Sequence, residues 1–240
     1  MKIVVITGAT RGLGLEVTRQ ALKSEYKVIA IGRAKSEALE QLQDQYPEHL
    51  IFEAYDFNDL SGIHKLATSI SKNHGRPWGL VNNAAIGYDG VLATLHEKDI
   101  SQLIRVNIEA PILLTKYLLR PMLINQQGRI INISSIIAST GFNGLSVYAA
   151  TKSALTGFTK SLSREVGKVG ITVNTISPGY METDMTNELQ REKKQSILRR
   201  SPLGRLASTE DVASSIMYLL SEKSSSITGT NITIDAGSTA

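Results

Sequence analysis

Tyr148 and Lys152 stand four residues apart in the stretch Ser-Val-Tyr-Ala-Ala-Thr-Lys, residues 146–152. On a helix that spacing places both side chains on one face, one turn apart. The pair joins a weak acid to a cation. A free tyrosine keeps its proton to about pH 10. A fixed ammonium beside it stabilises the phenolate and lowers that value. The expected chemistry is a tyrosine that gives or takes a proton near neutral pH. Such a pair also arises by chance on helix surfaces, so its meaning depends on the elements that position it.

Those elements alternate from end to end. Short β-branched runs at 2–7, 27–32, 51–56, 79–82, 129–134, 171–177 and 231–235 read as strands. Helical stretches lie near 13–23, 36–45, 60–73, 100–123, 147–168 and 211–221. Continuous apolar strand runs suit a sheet covered on both faces. Strict alternation predicts right-handed βαβ units and a parallel sheet. The predicted fold is therefore α/β, a Rossmann-like doubly wound parallel sheet of about seven strands with helices on both faces. No linker or repeat interrupts it, so residues 1–240 read as one domain, with a polar segment near 180–203 between the Pro178-Gly179 turn and Pro202.

Composition excludes several function classes. Cysteine is absent, which removes disulfides, thiol nucleophiles and thiolate metal sites. His49, His64, His74 and His96 share no ligand spacing, so no metal is expected. No apolar run reaches about 18 residues, and no secretory leader is read at the N-terminus. A cytoplasmic protein, away from membranes, is expected. The formal charge is +4. The basic residues are spread, apart from Arg191, Lys193, Lys194, Arg199 and Arg200, which read as a solvated helix face. Nucleic acid is not an expected partner.

The first strand ends in Thr7-Gly8-Ala9-Thr10-Arg11-Gly12-Leu13-Gly14. Glycines there permit a tight turn and bring backbone N–H groups close to a ligand. The helix after the turn offers its N-terminus to a pyrophosphate. An NAD site usually carries an acid at the end of the second strand. This chain has Gly32-Arg33 instead, and Arg11 adds a second cation. Guanidinium groups suit a ribose 2′-phosphate. NADPH is the expected cofactor.

In order and spacing, these motifs resemble the short-chain dehydrogenase/reductase family over essentially the whole chain. The glycine turn resembles the family's Thr-Gly-x-x-x-Gly-x-Gly, and Asn82-Asn83-Ala84-Ala85 its Asn-Asn-Ala-Gly. Ser135 precedes Tyr148 by thirteen residues, as the family serine does. Asn107 matches a helical asparagine, and Ser177-Pro178-Gly179 with Thr183 matches the nicotinamide loop. The resemblance implies that Tyr148 protonates a carbonyl oxygen and Ser135 hydrogen-bonds it. Lys152 would hold the nicotinamide ribose and lower the Tyr148 pKa, and Asn107 would hold a relay water. It also implies cofactor contacts from Gly8, Thr10, Arg11, Gly12, Leu13, Gly14, Gly32, Arg33, Asp56, Phe57, Asn83, Pro178, Gly179, Met181 and Thr183. Asp56 and Phe57 would meet adenine and Asn83 the ribose.

Within the family, the segment around Gly179-Tyr180-Met181-Glu182-Thr183-Asp184-Met185 looks most like the 3-oxoacyl-[acyl-carrier-protein] reductases. The implied substrate is a 3-oxoacyl thioester, carried on acyl-carrier protein or CoA, or a similar apolar ketone. Ser135, Ile137, Phe142, Tyr148, Tyr180 and Met185 would line its pocket. The cations implied for carrier docking are replaced by Gln126 and Val169. Two other readings stay open: oxidation of a secondary alcohol, and a non-catalytic dinucleotide sensor. A homotetramer is implied, with Asp235-Ala236-Gly237 standing where Asp-Gly-Gly is commoner.

Overall fold

A computed structural model describes residues 1–181, 195 and 198–240. Seven strands form one sheet: β1 (Ile3–Thr7), β2 (Lys27–Gly32), β3 (Leu50–Ala54), β4 (Gly79–Asn82), β5 (Gly128–Ile133), β6 (Ile171–Pro178) and β7 (Asn231–Ile234). Their order is β3-β2-β1-β4-β5-β6-β7, and every neighbouring pair is parallel. The order reverses beside β1, between β1 and β4. In open α/β sheets a ligand crevice forms at such a reversal, beyond the carboxyl ends of the strands.

Period-two alternation divides the inner strands between two cores. Val4 and Ile6 face one side, with α1 (Gly12–Lys23), α2 (Glu37–Gln45) and α8 (Thr209–Leu220). Leu13, Val17, Ala21, Val212 and Ile216 fill that layer. Ile3 and Val5 face the other side, with α3 (Ile63–His74), α5 (Ala110–Asn125) and α7 (Ser146–Val166). There Ile63, Ile70, Leu114, Leu118, Leu162 and Val166 bury their side chains. Burying one such side chain contributes about 1.5–3 kcal/mol, so two apolar layers of this size set the sheet firmly between its helices.

Several local expectations are corrected. The strand expected at 51–56 ends at Ala54, because the Asp56 carboxylate turns back to accept the Asn58 N–H at 2.9 Å. The helix expected over 100–123 runs as α4 (Glu97–Ile104), a π turn (Arg105–Glu109) and α5. A π turn inserts one residue into the helical repeat, and it falls on Asn107. A short helix, α6 (Ile137–Thr140), comes after β5 where no element was expected. The last predicted helix begins two residues early at Thr209, where Ser208 and Asp211 form a reciprocal capping box.

Candidate active site

The loops that leave the strand ends carry the predicted residues. Ser135 lies two residues beyond β5, and Tyr148 and Lys152 lie in the first two turns of α7. Ser134 and Ser135 are next to one another but serve different ends. The Ser134 hydroxyl is buried and donates to Lys152 O at 2.8 Å, tying β5 to α7. The Ser135 hydroxyl accepts the Ile137 N–H at 3.3 Å and lies near enough to Tyr148 to favour its phenolate.

Burial dominates the electrostatics here. The Tyr148 ring is partly exposed, but protein crowds its hydroxyl. That desolvation pushes its pKa up to about 12, against the opposing hydrogen bond from Ser135, and Tyr180 adds to the rise. Lys152 is buried, and burial alone brings its pKa down to about 8. Its Nζ donates to Ile133 O at 2.8 Å and sits 5.7 Å from the centre of the Tyr148 ring. The expected lowering of the Tyr148 pKa by Lys152 is therefore corrected. Desolvation of the phenol outweighs any help from a cation that is itself desolvated. Tyr148 is held as a neutral phenol at pH 7, which is the form that donates a proton.

Beyond the expected water contact, the Asn107 side chain has a structural task. Its side-chain Oδ1 accepts the Ile86 N–H at 2.9 Å. Its Nδ2 donates to Ile86 O at 2.9 Å and to Thr151 Oγ1 at 3.1 Å. Thr151 in turn donates to Tyr148 O at 2.7 Å. The amide thus staples the π turn to the loop after β4 and to the catalytic turn of α7, with both of its N–H bonds used inside the protein.

The glycine turn is built for close backbone approach. Gly8 and Gly12 have φ of +64° and +52°, where a Cβ is strained. A Cβ on Gly14 would lie 2.1 Å from Gly8 O. Asn83, expected to line the ribose, clamps this turn. Its Nδ2 donates to Thr7 O at 2.9 Å and Gly8 O at 3.2 Å, and its backbone N–H donates to Thr7 Oγ1. Among the described residues no side chain caps α1, and its first turn holds no acid. Its leading N–H groups are thus open to an anion. Thr10 touches Gly32, where a Cβ would meet Thr10 Cγ2 at 2.6 Å, and Thr10 O accepts from Ser36 Oγ at 2.5 Å. The turn and the end of β2 are therefore one surface. Arg11 and Arg33, both exposed, flank it. An open helix N-terminus between two guanidinium groups fits a dinucleotide that carries an extra phosphate.

The remaining predicted contacts divide. The Phe57 ring is buried against Tyr55, 5.2 Å between centroids, so only the Phe57 backbone is placed to meet adenine. Gly179 comes directly after β6, and Met181 packs on the core below. Phe142 and Tyr180 meet edge to face, 6.2 Å between ring centroids. Ile137, expected to touch substrate, is 6% exposed at the start of α6. Thr183 and Met185 lie outside the described residues, as do Arg191, Lys193 and Lys194. Sequence reasoning missed a buried amide and hydroxyl chain beneath the site. In it, Asn82 donates to Thr115 and Asn132, and Asn132 donates to Thr159, at 2.8–3.0 Å. A lone asparagine in each of two buried, mostly apolar strand runs, Asn82 in β4 and Asn132 in β5, was the available signal.

The described residues hold no cluster of metal-ligating side chains and no helix long and apolar enough to cross a membrane. A family model described as short chain dehydrogenase matches residues 2–194. The chain belongs to the short-chain dehydrogenase family, and it is an oxidoreductase of the hydroxyl–carbonyl couple that uses NADP. Among its relatives, the 3-oxoacyl-[acyl-carrier-protein] reductase FabG of Vibrio cholerae is 35% identical over 237 residues, covering 98% of this chain and 96% of that one. The enzyme of the same name from Rickettsia conorii is 36% identical over 236 residues, and that from Escherichia coli K12 is 33% identical over 236, each at the same coverage.

Proposed function

We propose that this protein reduces the ketone of 3-oxoacyl thioesters, with acyl-carrier protein as the carrier. The observation that carries the reading is the meeting of Ser135, Tyr148 and Lys152 where β5 is tied to α7, with Ser134 Oγ donating to Lys152 O and Lys152 Nζ donating to Ile133 O. A phenol placed there can deliver a proton to a ketone oxygen, and the cofactor expected from Arg11 and Arg33 favours reduction over alcohol oxidation. The substrate class rests on the names of the relatives, which align with 98% of the chain.

The glycine turn, Arg11, Arg33, Lys152 and Gly179 would hold the cofactor, with Arg11 and Arg33 on its 2′-phosphate. Bound NADPH supplies the hydride. Ser135 Oγ donates a hydrogen bond to the ketone oxygen and fixes its position. Tyr148 Oη delivers the proton to that oxygen as negative charge builds there. Oriented donors of this kind are often the largest catalytic contribution. Lys152, beneath the ring, replenishes or steadies that proton. Phe142 and Tyr180 give the acyl chain an apolar wall. Tyr148 and Lys152 both being present disfavours a non-catalytic sensor. A cytoplasmic homotetramer is part of this reading.

Absorbance loss at 340 nm with acetoacetyl thioesters, on CoA and on acyl-carrier protein, tests the proposal. Turnover with NADPH exceeding that with NADH, and a lower KM for the carrier-bound thioester, are expected. Activity confined to alcohol oxidation, or none with either thioester, refutes it.

A further inference from the structure

The turn after β7 joins parts of the site that are far apart in sequence. β6 and β7 run parallel with Pro178 opposite Ile234, so the residues that leave them, Gly179 and Asp235, are neighbours. The Gly179 N–H donates to Ile234 O at 2.9 Å. A Cβ built on Gly179 would lie 2.6 Å from Asp235 Cβ and 2.8 Å from its Cα. The chain leaving β6 therefore rests directly on Asp235.

Asp235 organises this turn. It is 9% exposed. Its Oδ1 accepts from the Gly237 N–H at 2.9 Å. Its Oδ2 accepts from Ser238 Oγ at 3.1 Å, Thr239 N–H at 2.9 Å and Thr239 Oγ1 at 2.7 Å. Burial opposes its ionisation, but these bonds outweigh it and keep the carboxyl below its ordinary pKa. The resulting turn holds Ala236 at φ +56°, a left-handed conformation that costs free energy in a residue with a Cβ. Strain of this kind persists where surrounding contacts require it. Here the strained peptide aims Ala236 O at the chain before α8. That oxygen accepts from Ser201 Oγ at 2.8 Å and from the Leu203 N–H at 3.4 Å. Pro202 lies against Gly237, where a Cβ would meet its Cδ at 2.8 Å. One turn thus touches residues on both sides of the sequence between the nicotinamide loop and α8.

We infer that Asp235 is a positioning residue for the reductase: its carboxylate shapes the turn that holds Gly179 and Ser201–Gly204 in place beside the catalytic centre. The inference rests on the proposed reductase reading. It extends that reading to a residue placed in neither the catalytic nor the cofactor set.

The test uses the full chain with Asp235→Ala. Steady-state kinetics with NADPH and acetoacetyl-CoA are paired with timed trypsin cleavage, read by mass spectrometry. Because Gly179 is assigned to the cofactor, KM for NADPH is expected to rise by about tenfold or more, while kcat stays within about threefold. Cleavage after Arg200 and Arg205, which border Ser201–Gly204, is expected to speed up by about tenfold as local opening becomes easier. Cleavage after the exposed Arg33 should not change. If Asp235→Ala does not fold, Ser238→Ala/Thr239→Val removes two side-chain donors and leaves both backbone donors. That chain should show the same pattern at about threefold, because both backbone donors to the carboxylate remain. An unchanged KM, or kcat and cleavage at every site altering together, overturns the positioning role. Should the unaltered chain reduce no thioester, the reductase reading fails by itself, and the cleavage comparison still decides whether Asp235 holds this segment.

Discussion

Replacing Lys152 with methionine should make the protein more stable at pH 7 and less stable at pH 10. Lys152 is buried, and burial brings its pKa from 10.5 to about 8. Each tenfold loss of proton affinity corresponds to about 1.4 kcal/mol. Holding the ammonium in the folded protein at pH 7 therefore costs about 3 kcal/mol. Methionine fills nearly the same volume without a charge. It also removes the hydrogen bond to Ile133 O, and an unpaired buried carbonyl costs about 1–2 kcal/mol. The net gain at pH 7 is about 1–2 kcal/mol. The folded pKa lies below the unfolded one, so between about 8 and 10.5 the unfolded chain binds more protons. The stability contributed by Lys152 consequently rises with pH through that window. Near pH 10 the lysine is neutral when folded and still bonded to Ile133 O, and the methionine chain is then the weaker. Urea unfolding of both chains at pH 7 and pH 10, at one protein concentration and without cofactor, measures the difference. Other titrating groups cancel between the two chains. A stability difference that does not change with pH, or a methionine chain weaker at both values, would refute the desolvation argument.

Tyr148→Phe should lower kcat by about a thousandfold or more, within the range assigned to a positioned proton donor together with its oriented hydrogen bond. NADPH binding, tracked by its fluorescence, should stay within a few-fold. Arg33→Ala removes a cation beside the glycine turn. Hydrogen bonds to charged groups contribute about 1.5–3 kcal/mol, so the ratio of kcat/KM for NADPH to that for NADH should fall by about tenfold or more. Gly14→Ala would place a Cβ 2.1 Å from Gly8 O, a backbone atom with no room to yield. Overpacking of this kind costs about 1–3 kcal/mol or more, which a drop in thermal midpoint and weaker NADPH binding would reveal together.

The strands were legible because their signal is local. A β-branched run buried on both faces reads the same wherever it sits in the sheet, and the seven runs became seven strands with ends moved by a few residues. The Tyr148–Lys152 spacing and the glycine turn were legible for a similar reason, since helix geometry and backbone reach are set within a few residues. What adjacent residues cannot reveal is which way each one faces after folding. Ser134 and Ser135 are the same residue type one position apart, yet one binds the backbone of α7 and the other the catalytic phenol. Asn83 and Asn107 were recognised as site residues, but their amides hold the loops around the site. The sign of the Tyr148 pKa was misread for the same cause. Spacing tells how far a cation is along a helix, whereas the protonation of both groups depends on how much protein surrounds them.

The sequence by itself determined an α/β sheet, a nicotinamide turn and a proton-delivery pair, because each is written in residue types at fixed short intervals. Only the tertiary structure decided that burial raises the Tyr148 pKa where the Lys152 spacing alone suggested a lowering. It alone brought Asp235, near the chain's end, beneath Gly179 and beside Ser201. Desolvation and contact between distant segments depend on the whole packed chain, and no interval along the sequence records them.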